Sequence, residues 1–211
     1  MALTPQEAWT LVGGLSAPSK MPCFGYSIPA RHCITGSKLR NVDNTICGIC
    51  YALKGRYSFS NVQDAMERRF QSLQDERWVE AIVTAIRSNE SSGYFRWHDS
   101  GDLQGVWHLA KIVEVAHALP TIRFWLPTRE YGIVGEFLRK GGKFPSNLTV
   151  RLSSLTIGGN EPAAIAKRLG LVISGAKEEG FNCPAPMQGN KCLACRKCWD
   201  KRIQNVTYVT H

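Results

Sequence analysis

The sequence predicts an α/β protein. Its sheet is a partial (β/α) barrel or an open parallel sheet of about five strands, with a Cys-rich irregular C-terminal segment. Three observations carry that reading. Short apolar runs alternate with amphipathic stretches of helical spacing between residues 58 and 179, and strands alternating with helices form parallel βαβ units. The chain has 211 residues, enough for one domain with its own core. The eight cysteines fall in the first quarter and the last seventh of the chain, with none between. The chain therefore divides within a single domain, 1–211. An N-terminal strand and Cys loop occupy 21–57, an alternating β/α core 58–179, and a Cys-rich tail 180–211.

The elements follow in order. Thr4 or Pro5 opens a short helix, and the loose GGLSAPSK follows it. CFGYSIPA is apolar and partly alternating, which reads as a strand. It feeds a long polar loop, Arg31 to Gly55, and loops of such length in compact domains are usually functional. Asn61 is placed to cap a helix whose Ala65, Met66, Phe70 and Leu73 share one face. A second amphipathic stretch runs from Trp78 to Ile86, SSG breaks it, and YFRWHDSGD starts the second strand. Leu103 to Ala118 is helical, IRFWLP a strand, Tyr131 to Lys140 a short helix and NLTVRLSS a strand. Glu161-Pro162 opens a helix that ends at Leu169, and LVISGA is the fifth strand. From Gly180 the chain reads as irregular.

Composition narrows the setting. No apolar run approaches the roughly 20 residues of a membrane span, so no membrane association is expected. MALTPQEAWT lacks the basic and apolar regions of a signal peptide, which predicts a cytosolic protein. In a reducing cytosol, clustered cysteines bind metal or react more often than they form disulfides. The net charge of +9 is compatible with a nucleic-acid partner, or with plain solubility charge spread over Arg68-Arg69, Arg139-Lys140 and Arg196-Lys197.

The tail carries the sharpest motif. Cys192, Cys195 and Cys198 form C-x2-C-x2-C, with Cys183 nine positions before Cys192. That compact wrap is the ferredoxin-type spacing for a [4Fe–4S] cluster with a remote fourth ligand. Zinc is the alternative metal, although its thiolates usually come as two separated C-x2-C knuckles. In the N-terminal loop Cys47 and Cys50 form a second C-x2-C, with Cys33 upstream. Gly48 between them allows a close turn and an amide for a cluster sulfide. Cys23 is either a fourth ligand there or a buried thiol. One cluster, two clusters, or one drawing ligands from both ends all fit these positions.

Parallel sheets place their sites at the carboxyl ends of the strands. His98, Asp99, Ser100 and Asp102 follow the second strand, Thr128, Arg129 and Glu130 the third, and Arg151, Ser153 and Ser154 the fourth. His98 reads either as a catalytic or ligand residue oriented by Asp99 or Asp102, or as a hydrogen-bonded strand-end histidine. Arg129 and Arg151 either bind a carboxylate or phosphate or join Glu130 in an ion pair that closes the mouth. Trp97, Trp107, Trp125 and Trp199 read as core packing or cluster shielding. His211 is a terminal residue.

Two resemblances rest on these motifs. The loop after the first strand, ending Cys47-x2-Cys50-Tyr51, is similar to the cluster loop of radical S-adenosylmethionine enzymes, with thirteen residues rather than three before its C-x2-C. That resemblance implies a [4Fe–4S] cluster held by three cysteines. It implies S-adenosylmethionine contacts at Ser100-Gly101-Asp102, a variant of the Gly-Gly-Glu motif, and a ribose contact at Ser153. KMPCFGYSIPARHC, CYALKGRY, FRWHDSGDLQ, FWLPTRE, LTVRLSS and CRKCWD resemble the gene product 88 family of bacteriophage proteins over nearly the whole chain. This implies a metal-thiolate protein of phage origin in the host cytosol. The expected activities are a redox or radical enzyme, or a non-catalytic iron–sulfur or zinc protein that binds nucleic acid or a host protein.

Overall fold

A computed structural model describes residues 1–159 and 162–210. Six parallel strands form one sheet: β1 Gly25–Tyr26, β2 Tyr94–Trp97, β3 Arg123–Thr128, β4 Leu148–Ser153, β5 Val172–Lys177 and β6 Asn205–Val209. Their spatial order is their order in the chain. Each strand lies beside the one before it, as in a (β/α) barrel left open between β6 and β1. The sixth strand corrects the expected five. NVTYV follows Cys-rich turns and gives little local signal. The free edge of β5 supplies its partner, with Ser174 opposite Val206 and Ala176 opposite Tyr208.

Helices fill most crossovers: α3 Ser60–Ser72 and α4 Trp78–Asn89 before β2, α5 Val106–Ala118, α6 Tyr131–Arg139 and α7 Pro162–Leu169. Helix α1, Pro5–Leu11, precedes the sheet and starts at a capping box, Thr4 and Glu7 each accepting the other's backbone N–H. The Cys loop is more ordered than expected. It holds α2, Ile34–Leu39, and short 3-10 turns at Ala30–His32, Tyr51–Leu53 and Gly55–Ser58. Asn61 does not cap α3, which starts at Ser60 behind Phe59. Its Oδ1 accepts from Val62 N–H one residue on. Helix α5 starts at Val106 rather than Leu103, because Asp102 Oδ1 holds the Leu103 N–H at 2.8 Å in a turn. Glu161, the expected start of α7, and His211 lie outside the described residues. Among the described residues no helix is long and apolar enough to cross a membrane.

Strand alternation gives the sheet two unlike faces. Phe95, Trp97, Phe124, Leu126, Val150 and Leu152 are buried in the core that the helices cover. Arg96, Trp125, Thr149, Arg151 and Ser153 stand at the alternate positions. That second face is covered by the crossover between β5 and β6, which has 3-10 turns instead of an α-helix. Trp199 from this crossover packs edge-on to Tyr94 and Trp125, ring centroids 5.4 and 5.3 Å apart, and its carbonyl accepts from Thr149 Oγ1. The Cys-rich tail is therefore the second layer of the domain.

Candidate metal centre

The loop cysteines are positioned by α2 and by the loop after β4. Cys33 is the residue before α2, and both the N–H and the hydroxyl of Thr35 in its first turn donate to Glu130, at 2.7 and 2.8 Å. The segment before Cys47 is stitched to the β4 loop. Ile46 N–H donates to Leu155 O and Ile157 N–H to Asn44 O. Gly36 in α2 faces both sulfurs. A Cβ there would stand 2.8 Å from Cys33 Cβ, 3.6 Å from Cys47 Sγ and 3.7 Å from Cys33 Sγ. Cys50 completes the group, its thiol close enough for charge to act between it and each of the other two. Burial pushes the Cys33 and Cys47 thiols up, whereas the Arg129 guanidinium pulls Cys47 down. A metal bound here must displace thiol protons. Gly48 does not offer the free amide expected of it, since its N–H donates to Thr45 Oγ1 at 3.0 Å.

The tail cysteines form a second group, and Cys23 belongs with them. Charge on Cys192 acts on Cys23, and Cys183 and Cys195 act on Cys192. Cys198 feels Cys183, and its Sγ lies 3.3 Å from the Tyr208 hydroxyl. Burial pushes Cys23 up to about 12 and Cys198 up to about 11. The wrap is tight, with Asn190 and Leu193 at φ of 59° and 44°. It is tied to the N-terminal segment by Cys192 N–H, which donates to Lys20 O at 2.9 Å. Among the described residues no three His, Cys, Asp or Glu side chains form a single-ion site.

Both groups open onto one cavity of about 450 Å³, lined by Cys33, Cys47 and Cys50 from the loop and by Cys183, Cys192 and Cys198 from the tail. Cys195 and Cys23 are not among its lining residues. His98, Asp99, Ser100, Gly101 and Asp102 line the cavity from the end of β2, Arg129 from β3, Ser153 from β4 and Tyr51 from the loop.

The polar residues have distinct partners. Asp102 is buried, and its Oδ1 accepts from Thr128 Oγ1 and Leu103 N–H, its Oδ2 from Arg129 N–H. Burial pushes its carboxyl up to about 6 against those bonds. Asp99 accepts from Ser16 Oγ and Tyr57 Oη, and its carbonyl from Tyr51 Oη, which fastens the Cys loop to β2. Neither carboxylate orients His98. Both its ring nitrogens lack partners, its φ is 54°, and its ring packs on His108 at 5.3 Å. Burial drives His98 down to about 3, so it is neutral. Ser153 shares a hydrogen bond of 3.0 Å with Ser174, and Ser100 Oγ has no partner. A Cβ on Gly101, at φ 83°, would meet Ile28 O at 2.7 Å, so only glycine fits this turn.

The expected mouth-closing ion pair does not form. Glu130 holds Thr35, and Arg129 Nε donates to Ser154 O. Arg151 is fully buried and does not line the cavity. Its five N–H groups donate to the carbonyls of Ile173, Lys197, Cys198, Asp200 and Ile203. It anchors the tail and has no donor left for a ligand. Several basic residues are likewise engaged individually. Arg69 is buried on Gly14 O, Leu15 O and Ser27, and Arg202 pairs with Asp200. Trp97, Trp125 and Trp199 are buried, whereas Trp107 is half-exposed.

Residues 2–201 match the Gene product 88 family. The chain belongs to that family. The match extends through both cysteine groups and the polar ends of β2, β3 and β4, and it supports the phage origin the motifs imply. No curated protein and no solved structure matches the chain significantly.

Sequence reading missed Arg96, Tyr57 and Tyr208, all on the cavity wall. Arg96 had a usable signal: it is the one charged residue in YFRW, at the alternate position to Phe95 and Trp97.

Proposed function

We propose that this protein is an iron–sulfur enzyme of the radical S-adenosylmethionine type with two clusters. Cys33, Cys47 and Cys50 hold the cluster that receives the cofactor. Cys183, Cys192, Cys195 and Cys198 hold the second, with Cys23 beside them. The observation that supports this most is that three loop thiols and three tail thiols line one cavity at the carboxyl ends of parallel strands. The donor set fits soft iron–sulfur chemistry, and Gly36 keeps the space between two of the sulfurs clear. A three-thiolate cluster with S-adenosylmethionine supplies one-electron reductive cleavage of the cofactor.

The chain's own residues would bind and orient. Ser100 brings an unpartnered hydroxyl, Gly101 a close backbone approach, and Ser153 a hydroxyl at the same wall. Tyr51 fixes the cysteine loop to β2. Asp102 and Arg129 hold the β2 and β3 ends together beside Cys33 and Cys47. His98, neutral and with both ring nitrogens unpartnered on this wall, is a candidate hydrogen-bond partner for the bound molecule.

The test is anaerobic purification with metal and sulfide analysis, then dithionite with S-adenosylmethionine. About eight irons and eight sulfides per chain are expected, falling to about four when Cys33, Cys47 and Cys50 become Ala, with 5′-deoxyadenosine formed only by the parent protein. Stoichiometric zinc without sulfide would overturn the reading.

A further inference from the structure

Arg96 is a guanidinium without a directly paired carboxylate. It lies on the cavity wall, within reach of the tail thiols. Its charge acts on Cys23, Cys192 and Cys198 of the tail group, and on Tyr51, Asp99 and Tyr57 beside the loop. Among the described residues no carboxylate lies within ion-pair distance of it. Its nearest acceptors are Tyr51 Oη at 3.4 Å and the weakly accepting Met21 Sδ at 3.9 Å, and its buried Nε has no partner. The guanidinium carbon lies over the Trp125 ring, 4.5 Å from the centroid. Trp125 is 4% exposed and its own indole N–H has no acceptor. Ser100, on the same wall, has a third unpartnered donor.

A half-buried cation whose Nε is buried, and other buried donors without acceptors, are costly unless a ligand completes them. Arg96 Nε and Trp125 Nε1 can only donate and the Ser100 hydroxyl can donate as well, so a ligand that brings acceptors and negative charge satisfies all three. Planar bidentate recognition is the particular strength of arginine. Around this polar spot the wall is apolar, with Met21, Trp125, Pro127 and Leu53.

We propose that Arg96 and Trp125 form a carboxylate-binding site, and that the protein's substrate is a small organic acid with an apolar body held between the two cysteine groups. The assignment rests on the proposed function only in taking this cavity as the substrate chamber. The rival account makes Arg96 a counter-charge to the tail cluster and nothing more.

The experiment uses anaerobically purified protein of measured metal content, without S-adenosylmethionine. Benzoate, phenylacetate and hexanoate are titrated by calorimetry, each against its uncharged amide. At least one acid is expected to bind at least about tenfold more tightly than its amide. Arg96→Gln is expected to abolish that preference, and Arg96→Lys to weaken it about tenfold. Trp125→Phe removes one N–H, keeps the ring, and is expected to cost several-fold; it carries the test if Arg96→Gln fails to fold. Acids that bind no better than amides, or a preference that survives in Arg96→Gln, would overturn the site, even if that variant shifts the reduction potential of the tail cluster. Carboxylate binding to a protein found to hold zinc would sink the radical reading and leave this one standing.

Discussion

At the scale of single residues, the site depends on two glycines and two histidines. Gly36→Ala would place a methyl between Cys33 and Cys47. It is expected to lower iron at the loop group by about half of the chain's total while leaving the helical content intact, because Ala suits a helix better than Gly. Metal analysis beside far-UV circular dichroism reads both. Gly101→Ala forces a side chain into Ile28 at a positive φ and is expected to destabilise by about 2 kcal/mol or more in denaturant titration. His98 and His108 are buried neutral, both driven below the ordinary histidine value by burial. Unfolding lets them take up protons near pH 6.5. Their contribution is therefore fully present above that pH and is lost as pH falls below it toward their lowered folded-state values, at up to about 1.4 kcal/mol per pH unit for each. Asp102, raised to about 6 by burial, acts oppositely: its neutral form favours the fold on the acid side and loses that effect as pH rises through 6. The difference in melting temperature between the parent and His108→Gln isolates one histidine, and it should shrink as pH drops from 7 to 5.

At the scale of elements, the chain writes its helices and central strands plainly and its edges poorly. Phe95, Trp97, Phe124 and Val150 repeat with period two, and Ala81, Ile82, Ala85 and Ile86 with the helical period, because each packs against the one large core. Strand β6 and helix α2 escape this logic. Each is short, and partners remote in sequence hold it: β5 for the strand, Glu130 for the helix. The eight cysteines were legible as two groups. The place of Cys23 was not, since it depends on the tail folding back to Lys20. Arg151 was misread for a similar reason. A strand-end arginine looks like an anion ligand until the carbonyls of residues 197–203 are seen around it. Arg151→Met is expected to free that crossover, cost roughly 4 kcal/mol by orphaning buried carbonyls, and drop iron at the tail group before the loop group. Chemical unfolding and metal analysis of the same sample report the two losses.

At the scale of the whole molecule, the domain has one helical layer, one sheet and one layer made of cysteine-bearing turns. A layer built of 3-10 turns buries little apolar surface, so its order should depend on what its thiols bind. Chelation of the metal is expected to lower the melting temperature and to expose residues 180–204 to protease before any cut appears in the β/α core, which mass spectrometry of the fragments would read. The tie between Cys192 and the segment of Lys20 and Met21 has a further consequence for synthesis. Those partners are 171 residues apart, and the strand that closes the sheet ends at Val209. A ribosome releases the first thiols long before their chamber has walls. The cavity therefore forms only once the tail has been made and has folded back, in the slowest step of a long-range topology. Until then the loop thiols stand open to solvent, and a metal carrier that needs the walled cavity must act after the tail has folded back.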